Sequence, residues 1–360
     1  VALALGVEQG EILFAGSASE ANNLVIKGVI EKVCQLVRSA HSANGCTSDS
    51  LVEIVVSVIE HPCVIEAVRH VEMLGWAKVH WIGVTSTGHV NPAKIAEVIN
   101  DKTVLVSVMY ANNEIGSVQP VREIAQLVVK ERKRRAQTNE SVHLPIWMHT
   151  DAVQVVHCFD CRPRELGVDL MTFAPHKCYG PKGVGVLFKS SLVKLARQID
   201  GGGQEYYLRA GTENVANIVG AGVAIKEAVL SRRVRSEKMY ALKNDFIGML
   251  DKLKNDFNCR LVLGEKMSDY TPHILSIIVP DMDAEMLVGA LDREGFAVST
   301  GSACSSGVVK KSHVIEALDL GYENYAPIRI SWGKETELTD LKLFVEVFIK
   351  AVKRIRLLEI

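Results

Sequence analysis

From Glu11 to Phe188, short runs rich in β-branched residues alternate with helical patterns, and this alternation limits the fold more than any other feature. Stacked βαβ units and a mainly parallel sheet follow from it. Strands are expected at residues 12–15, 53–59, 78–82, 104–109, 146–149, 170–173 and 184–188, seven in all. Helices are expected at 18–37, 62–74, 92–99 and 121–134; in the last, Ile124, Leu127 and Val128 recur on a helical period. Beyond Gly211 the pattern changes to a long helical stretch over 215–253. A βαβ-like tail follows, with strands at 260–263, 273–278, 297–299 and 327–332 and helices at 284–294 and 340–358. The expected organisation is a large α/β domain over 1–214, connecting helices over 215–255 and a smaller C-terminal α/β domain over 256–360.

Composition removes several function classes. Lys plus Arg number 41 against 42 Asp plus Glu, so the net charge of −1 offers no field for nucleic acid or an anionic membrane. The longest apolar stretches, such as 52–59, fall far short of the roughly 20 residues a spanning helix needs. No membrane and no nucleic-acid partner is expected. The basic run KERKRR at 130–135 reads as the solvated end of a helix. Eight scattered cysteines suit reduced thiols in a reducing compartment, with a cytoplasmic protein expected and a mitochondrial one left open by the missing N-terminal segment. Cys158 and Cys161 lack a second pair, so no metal site is expected. Asn139-Glu140-Ser141 fits a glycosylation pattern that is common by chance.

In an open parallel sheet, ligands bind beyond the C-terminal strand ends. Strand 12–15 runs into Gly16-Ser17-Ala18-Ser19-Glu20, a small-residue turn opening a helix, suited either to a phosphate or to helix capping. Strand 146–149 runs into Asp151 and Gln154. Strand 170–173 runs into His176-Lys177-Cys178-Tyr179-Gly180, where a Lys among apolar and aromatic residues is expected to be buried, with a depressed pKa and a nucleophilic amine. A Schiff-base Lys with an Asp for a pyridine nitrogen is the pairing pyridoxal phosphate (PLP) requires. Gly180-Pro181-Lys182-Gly183-Val184-Gly185 lacks dinucleotide-loop spacing and reads as a tight turn behind Lys177. Cys304, alone among small polar residues, has the setting of a mobile nucleophile.

Taken together, HTDAVQ at 149–154, HKCYGPKG at 176–183, ANNEIG at 111–116, GGGQE and RAGTEN at 201–214 and STGSACSS at 299–306 resemble the class V, fold-type I PLP enzymes of the cysteine desulfurase and selenocysteine lyase family. The resemblance covers nearly the whole chain. It implies a PLP-dependent transferase fold of type I, with a mainly parallel seven-stranded large-domain sheet and a smaller C-terminal domain carrying the Cys304 loop. It further implies that Lys177 holds PLP and moves the Cα proton, that Asp151 pairs with the ring nitrogen and that Gln154 bonds the ring hydroxyl. His61 would stack on the ring; Ala18, Ser19 and His176 would line the phosphate, with Thr212 reaching it from the partner subunit of a homodimer. Asn113 would touch cofactor or substrate, and Arg329, expected to point inward on an apolar strand, would clamp the substrate carboxylate.

In layout the chain looks most like eukaryotic selenocysteine lyase, because of the polar insertion at 39–50, the spacer at 130–144 and Ala174 where desulfurases usually place Ser. That reading implies removal of selenium from L-selenocysteine to give L-alanine. The alternatives are a cysteine desulfurase forming a Cys304 persulfide, with an acceptor protein for the released sulfur or selenium, and a PLP aminotransferase. The family's N-terminal segment has no match before Val1, and a longer natural chain is expected.

Overall fold

The computed structural model describes residues 1–40, 51–138, 143–301 and 312–358, side chains at 38–40, 252 and 358 aside. Residues 41–50 of the insertion expected at 39–50, the Asn139 tripeptide and Cys304 lie outside them. The described residues pack as two compact units, one comprising 1–83, 90–111 and 119–232, the other 84–89, 112–118 and 233 onward. The helix Val215–Met249 contributes its first part to one unit and its remainder to the other.

The first unit is built on seven strands: β1 (Ile12–Ala15), β2 (Val52–Ser57), β3 (Ala77–Ile82), β4 (Thr103–Ser107), β5 (Trp147–Asp151), β6 (Leu170–Phe173) and β7 (Gly185–Lys189), in the order β1-β7-β6-β5-β4-β2-β3. Only β7 runs against its neighbours; β3, β2, β4, β5 and β6 pair in parallel. Burial on both faces explains why β2 and β4 are near-continuous apolar runs and do not alternate. The helix Ala18–Ala40 lays Leu24, Val25, Ile26, Val29, Ile30 and Val33 against this sheet, all buried.

Helix ends follow their local chemistry. Pro62 opens the helix Pro62–Met73 and His61 is its N-cap, with Nδ1 accepting from Cys63 N at 3.2 Å. The basic run closing the helix Val121–Arg135 is not simply solvated. Arg135 is buried, bonding Glu131 Oε1 (2.8 Å), Leu144 O (2.8 Å), Asn100 O (2.6 Å) and Thr103 O (2.8 Å), so its planar fork joins loop carbonyls that would otherwise lose water without replacement.

The second unit holds β8 (Arg260–Leu261), β9 (Ile274–Pro280) and β10 (Tyr325–Ser331) in the order β10-β9-β8. Both pairings are antiparallel, which corrects the expected βαβ-like tail. Residues 297–299 form no strand; only an isolated bridge joins Ser299 to Arg329. The core packs Phe246, Phe344 and Phe348 with Trp332, and the rings of Phe246 and Trp332 meet edge to face at 5.8 Å. Lys243 is fully buried there, its Nζ bonding Thr271 O (2.8 Å) and Ile274 O (2.9 Å).

Candidate active site

Parallel pairing aligns the C-terminal ends of β2, β4, β5 and β6 along one sheet edge, and the first unit's polar residues gather there. Asp151 ends β5, pairs with Thr172 of β6 and is only 5% exposed. Burial raises its carboxyl pKa; the main-chain N–H of Val153 (2.9 Å to Oδ1), the Asn22 amide (2.8 Å to Oδ2) and the nearby His61 ring pull it back down. Beneath it, His149 is fully buried, and burial pushes its pKa down to about 3. Its neutral ring spans three adjacent strands, with Nδ1 2.8 Å from Ser107 Oγ and Nε2 3.3 Å from Thr172 Oγ1.

Lys177 stands on the 3₁₀ turn Pro175–Cys178 that follows β6. It is exposed, which corrects the expected burial. The turn buries Pro175 and Cys178 and directs the two residues between them, His176 and Lys177, outward. Burial and the neighbouring Lys177 and Lys182 lower the His176 pKa. Tyr179 closes the turn at φ 69°, and Gly180 N returns to Pro175 O at 2.9 Å, forming the tight turn expected behind Lys177.

The candidate phosphate turn is capped as well as open. Ser17 Oγ accepts from Glu20 N (3.1 Å), Gly16 N donates to Glu20 Oε2 (2.9 Å), and Arg209 holds Glu20 Oε1 at 2.7 Å. Ala18 and the exposed Ser19 start the helix. The turn lies directly on β7: a Cβ at Gly185 would fall 2.2 Å from the Ser17 carbonyl carbon and 2.6 Å from Ala18 N. Thr212 is exposed and lines a cavity of about 160 Å³ with Phe14, Gly16 and Arg209 of its own chain.

Gln154 is half-buried in the turn after β5, and His61 is exposed at its helix cap. Asn113 and Arg329 belong to the second unit, where Arg329 Nη1 donates to Asn113 O at 3.0 Å. Arg329 does not point inward. In β10 the core takes Ala326, Ile328 and Ile330, and the two-residue period turns Arg329 to the other face. Glu114 beside it is buried, accepts from Ser312 Oγ, and is pushed up in pKa by that burial.

Three polar residues escaped the sequence reading. Glu60 is fully buried, accepts from Ser57 Oγ (2.5 Å) and Met109 N (2.7 Å), and is raised by burial to about 8. Asn22 and Cys63 stand between Asp151 and His61, with Asn22 Nδ2 3.3 Å from Cys63 Sγ. An amide among the apolar positions of the 18–40 helix was the available signal for Asn22.

These residues fit PLP. A buried carboxylate with a raised pKa calls for a cationic partner such as a pyridinium nitrogen. One strand over, Lys177 presents an amine, and the helix start at Ala18 supplies N–H groups for a phosphate.

Residues 1–344 match the aminotransferase class-V family. The cysteine desulfurase IscS of Dictyoglomus turgidum is 35% identical over 357 residues, covering 99% of this chain and 82% of its own. A putative cysteine desulfurase, IscS 1 of Bacillus subtilis, is 35% identical over 358 residues, with coverage of 99% and 86%. Among solved structures, a NifS-like protein superposes with a TM-score of 0.82 at 29% identity, covering 98% of this chain and 85% of that one. The chain therefore belongs to the aminotransferase class-V family, with the α/β architecture of fold type I and pyridoxal phosphate as its cofactor.

Proposed function

We propose that this chain is a cysteine desulfurase, converting L-cysteine to L-alanine and leaving the sulfur as a persulfide on Cys304. The observation that supports this reading is the placement of Asp151 at the end of one strand and Lys177 just beyond the end of the next, in a chain whose relatives bear that name. The layout argument for selenocysteine rested on residues 39–50, the spacer at 130–144 and Ala174. Most of the first and the middle of the second, 139–142, lie outside the described residues, and the curated relatives favour the sulfur substrate.

PLP supplies an electron sink that acidifies the substrate Cα–H. Asp151 holds a proton at the ring nitrogen, Gln154 orients the ring hydroxyl, and Ala18, Ser19 and His176 hold the phosphate. His61 covers the ring and assists proton transfer. Lys177 Nζ anchors the cofactor and takes the Cα proton, and Arg329 grips the substrate carboxylate in the bidentate manner a guanidinium allows. The Cys304 thiolate then attacks the substrate sulfur: an S–S bond forms, the C–S bond breaks, and the carbon fragment takes up protons to leave as alanine. An acceptor thiol can afterwards remove the sulfur.

The working unit is a homodimer in which Thr212 serves the partner's phosphate site. The exposed Val215, Val219 and Val223 recur every four residues along the helix Val215–Met249, an apolar stripe that a second copy would cover. None of the six described cysteines is in a disulfide, in keeping with a cytoplasmic protein.

The test is alanine release from L-cysteine and from L-selenocysteine by wild type, Lys177→Ala and Cys304→Ser. Both variants are expected to abolish turnover of cysteine. Undiminished transfer of an amino group to a keto acid by Cys304→Ser would instead make the protein an aminotransferase, and turnover confined to selenocysteine would make it a selenocysteine lyase.

A further inference from the structure

Asn22 is fully buried on the face of the 18–40 helix that otherwise packs apolar side chains. An uncharged amide in that position is costly unless its groups are bonded. Its nitrogen carries two hydrogens and has two acceptors: Asp151 Oδ2 at 2.8 Å and Cys63 Sγ at 3.3 Å. Its oxygen has no partner among the described residues, so the site keeps this residue for its donors. The opposite amide orientation would set the oxygen against the Asp151 carboxylate, which fixes the assignment.

The chain of contacts continues beyond the sulfur. Cys63 Sγ lies 3.0 Å from His61 Nδ1, and the same ring nitrogen accepts from Cys63 N at 3.2 Å. Burial and the nearby Asp151 push the Cys63 thiol up to about 11, so it stays protonated and can donate to Nδ1. An Nδ1 that accepts from Cys63 N carries no proton itself, which leaves the ring N–H on Nε2. Cys63 also bonds Ser19, so one buried amide and one thiol join residues assigned to the phosphate, the ring face and the ring nitrogen.

We propose that Asn22 is a positioning residue of the PLP site: bonded at once to Asp151 and Cys63, it keeps the carboxylate aimed and ionised and ties it to the His61 ring. This rests on the reading of Asp151 as the partner of the ring nitrogen. It does not require Asn22 to touch the cofactor. Titratable groups that face Asp151 include Glu60, His61 and Cys63. Removing the Asn22 donor raises the pKa of Asp151 further, so the carboxylate is lost at a higher pH than in wild type.

The experiment is PLP binding to apoprotein, followed by visible absorbance from about pH 6 to about pH 9 for wild type, Asn22→Ala, Asn22→Ser, Asp151→Asn and the Asn22→Ala/Asp151→Asn double variant. Denaturant midpoints of the same apoproteins report folding. Asn22→Ala is expected to weaken PLP binding about tenfold at the acid end, the scale of one hydrogen bond to a charged group, with the deficit shrinking as the pH rises. Asn22→Ser, which keeps a donor, recovers part of the loss. In the Asp151→Asn background, Asn22→Ala has no pH-dependent effect.

A loss equal at all pH values, or no loss, overturns the proposal. If Asp151→Asn itself leaves PLP binding unchanged, the reading of Asp151 fails and the proposal falls with it. If Asp151→Asn weakens binding and Asn22→Ala does not, the proposal alone fails. Should Asn22→Ala fold poorly, Asn22→Ser measured across the same pH range gives the same decision.

Discussion

Arg329 Nη1 donates to the main-chain oxygen of Asn113 over 3.0 Å, while the backbone of Arg329 pairs with Ser299 through N–H···O bonds of 2.7 and 3.2 Å. The side chain and the main chain of one residue thus join the ANNEIG turn to the start of the segment leading to Cys304. A guanidinium held through one nitrogen still presents further donors to a carboxylate.

Substitution of Arg329 therefore separates binding from cofactor chemistry. Arg329→Lys, which cannot form a fork, is expected to raise KM for L-cysteine about tenfold with little change in kcat, and Arg329→Ala to lower kcat/KM about a hundredfold. Steady-state kinetics alongside the PLP absorbance, expected to be unchanged, checks this. A loss of bound PLP in either variant would place Arg329 in the cofactor site instead.

Glu60 makes stability depend on pH. Its ordinary pKa of 4.5 rises to about 8 on burial. Between those values the folded chain binds more protons than the unfolded one, so this contribution is fully present below about pH 4.5 and is lost as the pH rises through 8. Glu60→Gln keeps an oxygen for Ser57 Oγ and Met109 N. It is expected to flatten the dependence and to be the more stable protein above pH 8, by on the order of a few kcal/mol. Denaturant midpoints of the two proteins at acid and alkaline pH decide it; equal slopes would contradict the assignment.

Gly185 is required by the backbone that crosses it. A Cβ 2.3 Å from Ser17 O cannot be accommodated by rotating a side chain, so the turn before Ala18 must move. Gly185→Ala is expected to lower stability by roughly 1–3 kcal/mol, the scale of overpacking, and to weaken PLP binding more than Gly183→Ala does. Calorimetry and PLP titration measure the two effects.

The strand ends carrying Asp151 and Lys177 were readable because parallel strands announce themselves as apolar runs and their C-terminal ends as polar breaks. Side-chain direction was not. The neighbours of Lys177 suggested burial, yet a 3₁₀ turn buries Pro175 and Cys178 and turns Lys177 outward. Arg329 could have been oriented from the alternation of Ala326, Ile328 and Ile330, since residues two apart share a face. The antiparallel pairing of β8, β9 and β10 depends on partners distant in the chain, which local patterns do not encode. Asn22 was missed for the same reason: its partners lie 41 and 129 residues away.

The measurement that bears most directly on the account is mass spectrometry of Cys304 after reaction of the PLP-loaded protein with L-cysteine, with alanine quantified in the same sample. The account predicts alanine together with a Cys304 peptide heavier by one sulfur atom, and neither product in Lys177→Ala. Alanine formed in the wild type with Cys304 unmodified, or an amino group passed to a keto acid without alanine, would contradict it.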